Sequence, residues 1–208
     1  MNAAAASAAV RPSKGEETRA QILAAAVAQA SAGGFESLTI GSLAERTGMS
    51  KSGLFAHFGS KLELQVAALD EAARQFTQAV FLPALKAPRG VKRLRALFDR
   101  WITWPHEASL PGGCPVDAAA REFQHQPGPM RDAVLERQRV LMRELQRTVM
   151  MAVETGEFAR ATDAGQFAFD FMGIVFVHYR AEMLLGAEEA RRRARHSFER
   201  LVRQYAAS

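Results

Sequence analysis

The sequence predicts an all-α protein in two parts, an N-terminal module of three helices joined by a long helix to a larger helical domain. Apolar residues recur three and four positions apart over long segments, and short stretches rich in Gly and Pro separate those segments. Ala and Leu are prominent, and only two Tyr occur. We expect the module at residues 14–60, the larger domain at residues 61–208 and a disordered Ala-rich tail at residues 1–13.

The first predicted helix opens with Glu16 and Glu17, because acidic side chains stabilise the first turn of a helix. Gly33 and Gly34 are expected to end it. Four apolar residues between these ends recur at helical spacing and predict the buried face: Ile22, Leu23, Ala26 and Ala30.

Residues 38–61 predict two short helices connected by a tight turn. Thr39 is expected to cap the first and Ser50 the second, since their hydroxyls can accept hydrogen bonds from free backbone N–H groups. Gly48 tolerates the left-handed backbone that the turn requires, and small Ala44 lets the helices cross closely. The core between them is predicted to contain Ile40, Leu43, Met49, Leu54 and Phe58.

A long fourth helix is predicted to follow, because Ser60 and Glu63 form the sequence pattern of a capping box. Pro83, Pro88 and Gly90 break the chain after it. Its buried face is predicted to carry Leu62, Val66, Leu69, Ala73, Phe76 and Val80.

Five further helices are predicted in the larger domain. A loop from Pro105 to Pro115 is expected to separate the first from the second. The predicted ranges are residues 91–104, about 116–124, 130–154, about 162–185 and 187–205.

Residues 16 to about 66 resemble the N-terminal domain of the tetracycline-repressor (TetR) family of bacterial transcriptional regulators. A helix-turn-helix pattern alone would be a moderate signal, whereas the whole ordered set of matching residues near the N-terminus is a strong one. That set comprises Thr18-Arg19, residues 22–26, Gly34-Phe35, residues 38–40, Leu43-Ala44, residues 48–51, Leu54-Phe55, His57-Phe58 and Ser60-Lys61.

The resemblance implies that the second short helix enters the major groove of DNA. It implies base or groove contacts by Lys51, Ser52, Gly53, Phe55 and His57, and phosphate contacts by Thr39 and Lys61. Phe55 departs from the Tyr common in the family, so the phosphate hydrogen bond of a hydroxyl is lost there. For His57, packing within the helix pair is an equally open role.

The positive charge of the chain does not by itself mark a DNA-binding surface. The chain carries a formal net charge of +5, yet residues 1–78 hold seven Lys/Arg and seven Asp/Glu. DNA binding is therefore expected to depend on individually placed residues and on dimer geometry.

One cysteine excludes an internal disulfide, and the apolar run 167–179 is too short to span a bilayer. We expect a cytoplasmic protein.

The helix predicted at about residues 162–185 is apolar on nearly every side, so it must be covered on every side. A second subunit is the simplest cover, and the resemblance implies the same, because the last two helices of TetR-family proteins usually form the dimer interface. A central helix buried in a monomer is the alternative. The candidate interface residues are Phe171 and Val175 on this helix and Phe198 and Leu201 on the last one.

The resemblance also places an effector pocket in the larger domain. Apolar side chains there could line a pocket for a small apolar or aromatic molecule, although each of them singly could be a core residue. The candidates are Phe98, Trp101, Trp104, Cys114, Phe123, Met142, Phe169, Met172, Phe176 and His178. Cys114 precedes a short helix whose N-terminus would lower its thiol pKa, so a thiol sensor is open beside a packing role.

Nothing in the sequence indicates an enzyme or a cofactor. The five His are scattered, and the spacing of His106, Glu107, Cys114 and His125 matches no common metal site. The sequence thus predicts a homodimeric DNA-binding regulator, a repressor released from a palindromic double-stranded operator by a small effector. The alternative is a helical dimerisation or partner-binding protein that no longer reads DNA.

Overall fold

The computed structural model describes residues 13–207, and within them the chain forms α-helices and no strand. The predicted tail at residues 1–13 lies outside this range except for Ser13. The short segment Leu82–Ala84 is counted as the last turn of α4. The helices are α1 Lys14–Gly33, α2 Ile40–Thr47, α3 Lys51–Phe58, α4 Lys61–Phe76, α5 Val91–Glu107, α6 Pro115–Phe123, α7 Pro129–Glu154, α8 Ala164–Leu185 and α9 Ala187–Tyr205.

Side chains cap the first three helices, as the sequence predicted for α2 and α3. Thr39 accepts a hydrogen bond from the Ser42 N–H at 3.0 Å, and Ser50 accepts one from the Gly53 N–H at 3.0 Å. Gly48 closes α2 with the left-handed backbone expected of it, at φ 68°. The helix α1 starts two residues earlier than predicted because Ser13 forms its cap.

The buried face of α4 coincides with the predicted one only in part, and Leu69, Phe76 and Val80 are buried as expected. Leu64, Ala68 and Leu69 pack with residues of α1 in one core, whereas Leu62 is 39% exposed. Ser60 caps the helix by accepting a hydrogen bond from the Glu63 N–H at 3.1 Å. The helix widens into a π-helical turn at Thr77–Phe81 before its last turn.

Pro105 does not end α5, which continues to Glu107, so the predicted loop begins later. Proline has no N–H for the carbonyl four residues earlier, and it normally breaks a helix for that reason. The hydroxyl of Tyr179 donates to this carbonyl, that of Trp101, at 2.9 Å. His178 Nε2 donates to the neighbouring Ile102 carbonyl at 3.0 Å. The Tyr179 side chain of α8 therefore replaces the missing interaction.

The helices enclose two hydrophobic cores. The smaller core joins α1–α4, and α6 and the start of α7 close it with Ala119, Phe123, Met130 and Val134. The larger core lies between the end of α4 and helices α5, α7, α8 and α9. Because α6 belongs to the smaller core, packing crosses the predicted domain boundary at residue 60.

The four candidate interface residues lie in the larger core, and their assignment to a dimer interface was wrong. The Phe98 ring stacks on the Phe198 ring at 4.2 Å, and the Phe171 ring meets the Phe98 ring edge-on at 5.4 Å. Val175 and Leu201 are buried beside them. These side chains are buried within one protomer because α8 and α9 pack on α5 through this face.

The opposite face of α8 is apolar and exposed. Val177 is 66%, Met183 92% and Leu184 84% accessible to solvent in the single chain. The side chains of this chain thus cover only part of α8.

Candidate functional site

Helix α3 presents a mixed polar and aromatic surface to solvent. Lys51, Ser52 and Phe55 are exposed, whereas Leu54 and Phe58 point into the smaller core. Phe55 is 55% exposed, a large apolar side chain on an otherwise polar face. Such a residue has the chemistry to contact thymine methyl groups or sugars.

Lys51 and Thr39 meet at the N-terminus of α2. A Cβ placed on Gly41, in the first turn of α2, would lie 3.7 Å from Lys51 Cε and 3.9 Å from both Lys51 Nζ and Thr39 Oγ1. Unpaired N–H groups and an ammonium at one helix end form a favourable environment for a phosphate.

The other candidate DNA contacts lie on this module or, for Lys61, directly after it, but two are engaged locally. Lys61 Nζ forms an exposed ion pair with Glu36 Oε2 at 2.7 Å. The His57 ring is half-buried and lies 6.2 Å from the Phe58 ring, which fits its packing role as well as a groove contact. Gly53 leaves space beside Ser50, whose Oγ would lie 3.0 Å from a Cβ there. Arg19 also lies on this module, with its guanidinium 5.0 Å from the centre of the Phe58 ring.

A set of long-range hydrogen bonds, here called the clasp, ties the module to α6 and the preceding loop. The two carboxylate oxygens of Glu122 accept hydrogen bonds from the N–H groups of Phe35 and Glu36, each at 2.7 Å. Ser31 Oγ donates to the Gly113 carbonyl at 2.9 Å and accepts from the Gly112 N–H at 3.1 Å. These partners are more than 80 residues apart in sequence, so no local pattern could reveal them.

A cavity of about 570 Å³, here called the chamber, lies between the end of α4 and helices α5–α8. Its wall is mostly aromatic and aliphatic, with Phe76, Phe81, Leu141 and Tyr179 among residues not singled out in the sequence. The candidate pocket residues that line it are Trp101, Cys114, Met142, Phe169, Met172 and Phe176.

Four candidate pocket residues do not line the chamber. Phe98 and Trp104 are fully buried in the larger core, and His178 is buried against the Ile102 carbonyl. Phe123 lies instead along a second cavity of about 480 Å³ between α6, α7 and α8, here called the groove. Core packing therefore decided which of the apolar side chains reach the chamber.

Cys114 does not have the lowered pKa that its position before a helix suggested. Burial raises the pKa of its thiol to about 11, which outweighs hydrogen bonds from the Asp117 and Val116 backbone. Burial likewise raises the pKa of Asp117, while Arg121 and Arg180 act to lower it. The thiol is therefore protonated and poorly reactive at neutral pH.

Two family models match the chain. One, described as bacterial regulatory proteins of the tetR family, matches residues 22–68, and the other, a tetracyclin repressor-like C-terminal domain, matches residues 90–198. The chain belongs to the tetR family. The family's DNA-binding helix-turn-helix corresponds to α1–α3 and the start of α4. The second match contains the groove, the exposed face of α8 and the part of the chamber wall that α5–α8 supply.

Solved structures of tetR-family proteins share the fold. A regulator from Cytophaga hutchinsonii superposes with a TM-score of 0.81 at 17% identity, covering 96% of this chain and 100% of that one. A regulator from Chloroflexus aurantiacus gives 0.78 at 25% identity, covering 91% and 94%. AibR, solved with isovaleryl coenzyme A and operator DNA, gives 0.65 at 23% identity, covering 83% and 94%. No curated protein matches the chain.

No helix in residues 13–207 of this tetR-family chain has the length and apolar character needed to cross a bilayer. The same residues contain no cluster of three His, Cys, Asp or Glu side chains placed to hold a metal ion.

Proposed function

We propose that this tetR-family protein is a homodimeric repressor that leaves a palindromic operator when a small, largely apolar effector fills the chamber. Residues 14–60 form the DNA-reading head, and residues 61–208 bind the effector and form the dimer. The observation that carries this proposal is the position of α6. One end of α6 borders an apolar chamber, and its other end clasps the reading head.

On DNA, α3 lies in the major groove with Lys51, Ser52 and Phe55 toward the bases. Lys61 exchanges Glu36 for a phosphate, which is feasible because exposed ion pairs contribute only about 0–1 kcal/mol. One eight-residue helix reads few base pairs. Two heads related by a two-fold axis read half-sites about one helical turn apart.

The second head comes from a second copy of the chain, docked through the exposed face of α8. Val177, Met183 and Leu184 would lose contact with water there, which drives association. Gly173 lies on the same face, and a Cβ at that position would meet no atom within 4 Å, so a partner helix can approach closely.

The effector acts by shifting a population between two arrangements of the heads. Cys114 and Val116, at the start of α6, border the chamber, and Glu122, near its end, holds Phe35 and Glu36. A ligand that moves α6 therefore moves the head. Operator and effector then weaken each other's binding by the same factor. The bound isovaleryl coenzyme A and operator DNA in AibR show that a protein of this fold binds both kinds of molecule.

The test is a gel shift with the chain's own upstream DNA, followed by a titration in which small apolar compounds are screened for release. Lys51→Ala should weaken operator binding by about 1–3 kcal/mol and relax preference at particular base pairs. Lys61→Ala should weaken all sequences alike, because it contacts phosphate. Lys86→Ala, exposed beyond α4, is the matched control and should bind as wild type. If neither Lys51→Ala nor Lys61→Ala weakens DNA binding, the result would instead support the alternative, a helical protein that no longer reads DNA.

A further inference from the structure

The groove beside the chamber has the opposite chemical character. Three helices each contribute an arginine to its wall: Arg121 from α6, Arg131 from α7 and Arg180 from α8. Among the described lining residues only Asp117 carries a carboxylate. Apolar side chains also line the groove, among them Val134, Phe176 and Val177 of the exposed face of α8.

Two of the three guanidinium groups lack a salt-bridge partner in residues 13–207, although Arg180 is near enough to Asp117 to act on the pKa of its carboxyl. Arg121 pairs with Asp117, with Nε donating to Oδ2 at 3.1 Å. Arg131 and Arg180 form no ion pair with any carboxylate in residues 13–207. The arginines at the rim of the chamber differ, because Arg137 pairs with Asp70 and Arg147 with Glu144. The groove therefore carries an unbalanced positive charge beside apolar side chains, which favours an anion.

The groove and the chamber are adjacent. Asp117, Gln138 and Phe176 line both of them, so these residues form the boundary between the two spaces. A molecule that fills both would have an apolar part among Trp101, Met172 and other chamber residues, and a polar end among the arginines.

We propose that the effector is an amphipathic anion, whose apolar chain or ring fills the chamber while Arg131 and Arg180 bind its carboxylate or phosphate. The planar guanidinium donates two parallel hydrogen bonds to either group, and such charge-assisted bonds are roughly twice as strong as neutral ones. This assignment rests on the proposed function, since it names the class of molecule that the chamber takes.

Matched probes test the charge separately from the chamber. Decanoate, decanoyl coenzyme A and decan-1-ol are titrated into the purified wild-type protein by isothermal calorimetry, with the fluorescence of Trp101 and Trp104 together as a second readout. We expect at least one anion to bind about tenfold or more tightly than the alcohol, a difference of about 1.4 kcal/mol. If decanoate binds more tightly, the arginines of the groove bind a free carboxylate. If decanoyl coenzyme A binds more tightly, they bind phosphate.

The double variant Arg131→Gln/Arg180→Gln should lose about tenfold or more of the affinity for that anion and keep the affinity for the alcohol. Arg139→Gln, an exposed arginine of α7 that pairs with Glu136, is the control and should leave both unchanged. Gel filtration of each variant reports whether the dimer is intact.

Three outcomes overturn the inference. Equal binding of anion and alcohol by the wild type leaves the chamber as an effector site but removes its anionic end. Unchanged anion affinity in the double variant, with dissociation of its dimer, assigns Arg180 to the subunit interface. If neither anion nor the alcohol binds or releases DNA, the effector half of the proposed function is refuted together with this inference.

Discussion

Replacing Glu122 by Ala tests the connection between the chamber and the reading head. The change removes both acceptors of the clasp, and the N–H groups of Phe35 and Glu36 lose their 2.7 Å partners. A hydrogen bond to a charged group contributes about 1.5–3 kcal/mol, and water can replace the partner at exposed Glu36 but less well at part-buried Phe35. We therefore expect a loss of about 2–3 kcal/mol in the free energy of unfolding.

Differential scanning calorimetry measures this loss. For a chain of this length each kcal/mol corresponds to about 2–4 °C, so Glu122→Ala should lower Tm by roughly 4–12 °C. Glu122→Gln keeps one acceptor oxygen and should lose at least half as much. Glu136→Ala is the matched control, because its carboxylate pairs only with exposed Arg139 and Arg143, and it should shift Tm by little.

The functional readout is the coupling between effector and operator. Glu122→Ala should bind the effector as wild type does, because Glu122 does not border the chamber, yet the effector should change its operator affinity less. A variant that melts within about one degree of wild type, or that retains the full coupling, would show that the clasp neither stabilises the head nor links it to the chamber.

Three more variants test separate parts of the structure. Val177→Glu should convert the dimer to a folded monomer that binds the operator much more weakly, because the new charge would be buried in the partner interface. Light scattering measures the oligomeric state and a gel shift measures DNA binding. If the variant remains a folded dimer, the interface lies elsewhere. Cys114→Ser should respond to oxidants as wild type does, since a thiol pKa of about 11 leaves about a hundredfold less thiolate than in an ordinary cysteine. If an oxidant releases DNA from the wild type but not from Cys114→Ser, Cys114 is a thiol sensor. Gly112→Ala should lower the free energy of unfolding, measured in urea melts, by about 1–3 kcal/mol, because its Cβ would lie 1.7 Å from the Ser31 carbonyl oxygen. If the variant is as stable as wild type, the loop moves freely away from α1.

Local chemistry made the reading head predictable from the sequence. Thr39 and Ser50 cap their helices, and Gly48 takes the left-handed turn, as expected from short-range hydrogen bonds and sterics. The last helix also has the predicted bounds, Ala187–Tyr205, because Gly186 and a regular apolar spacing mark it. Interactions within one helix or one turn depend on a few neighbouring residues, so the sequence alone contains them.

Tertiary packing decided the orientation of α8 and the shape of the sites. Because α8 is apolar on nearly every side, its periodicity could not show that Phe171 and Val175 face the core while Val177 faces outward. Pro105 leaves the Trp101 carbonyl without its helical donor, as the sequence implies. Nevertheless α5 continues, because the hydroxyl of Tyr179, 74 positions after Pro105, donates a hydrogen bond to that carbonyl. Burial, not the local helix end, sets the pKa of the Cys114 thiol. The clasp and the two cavities depend on residues from distant helices, and such contacts are determined only when the whole chain packs.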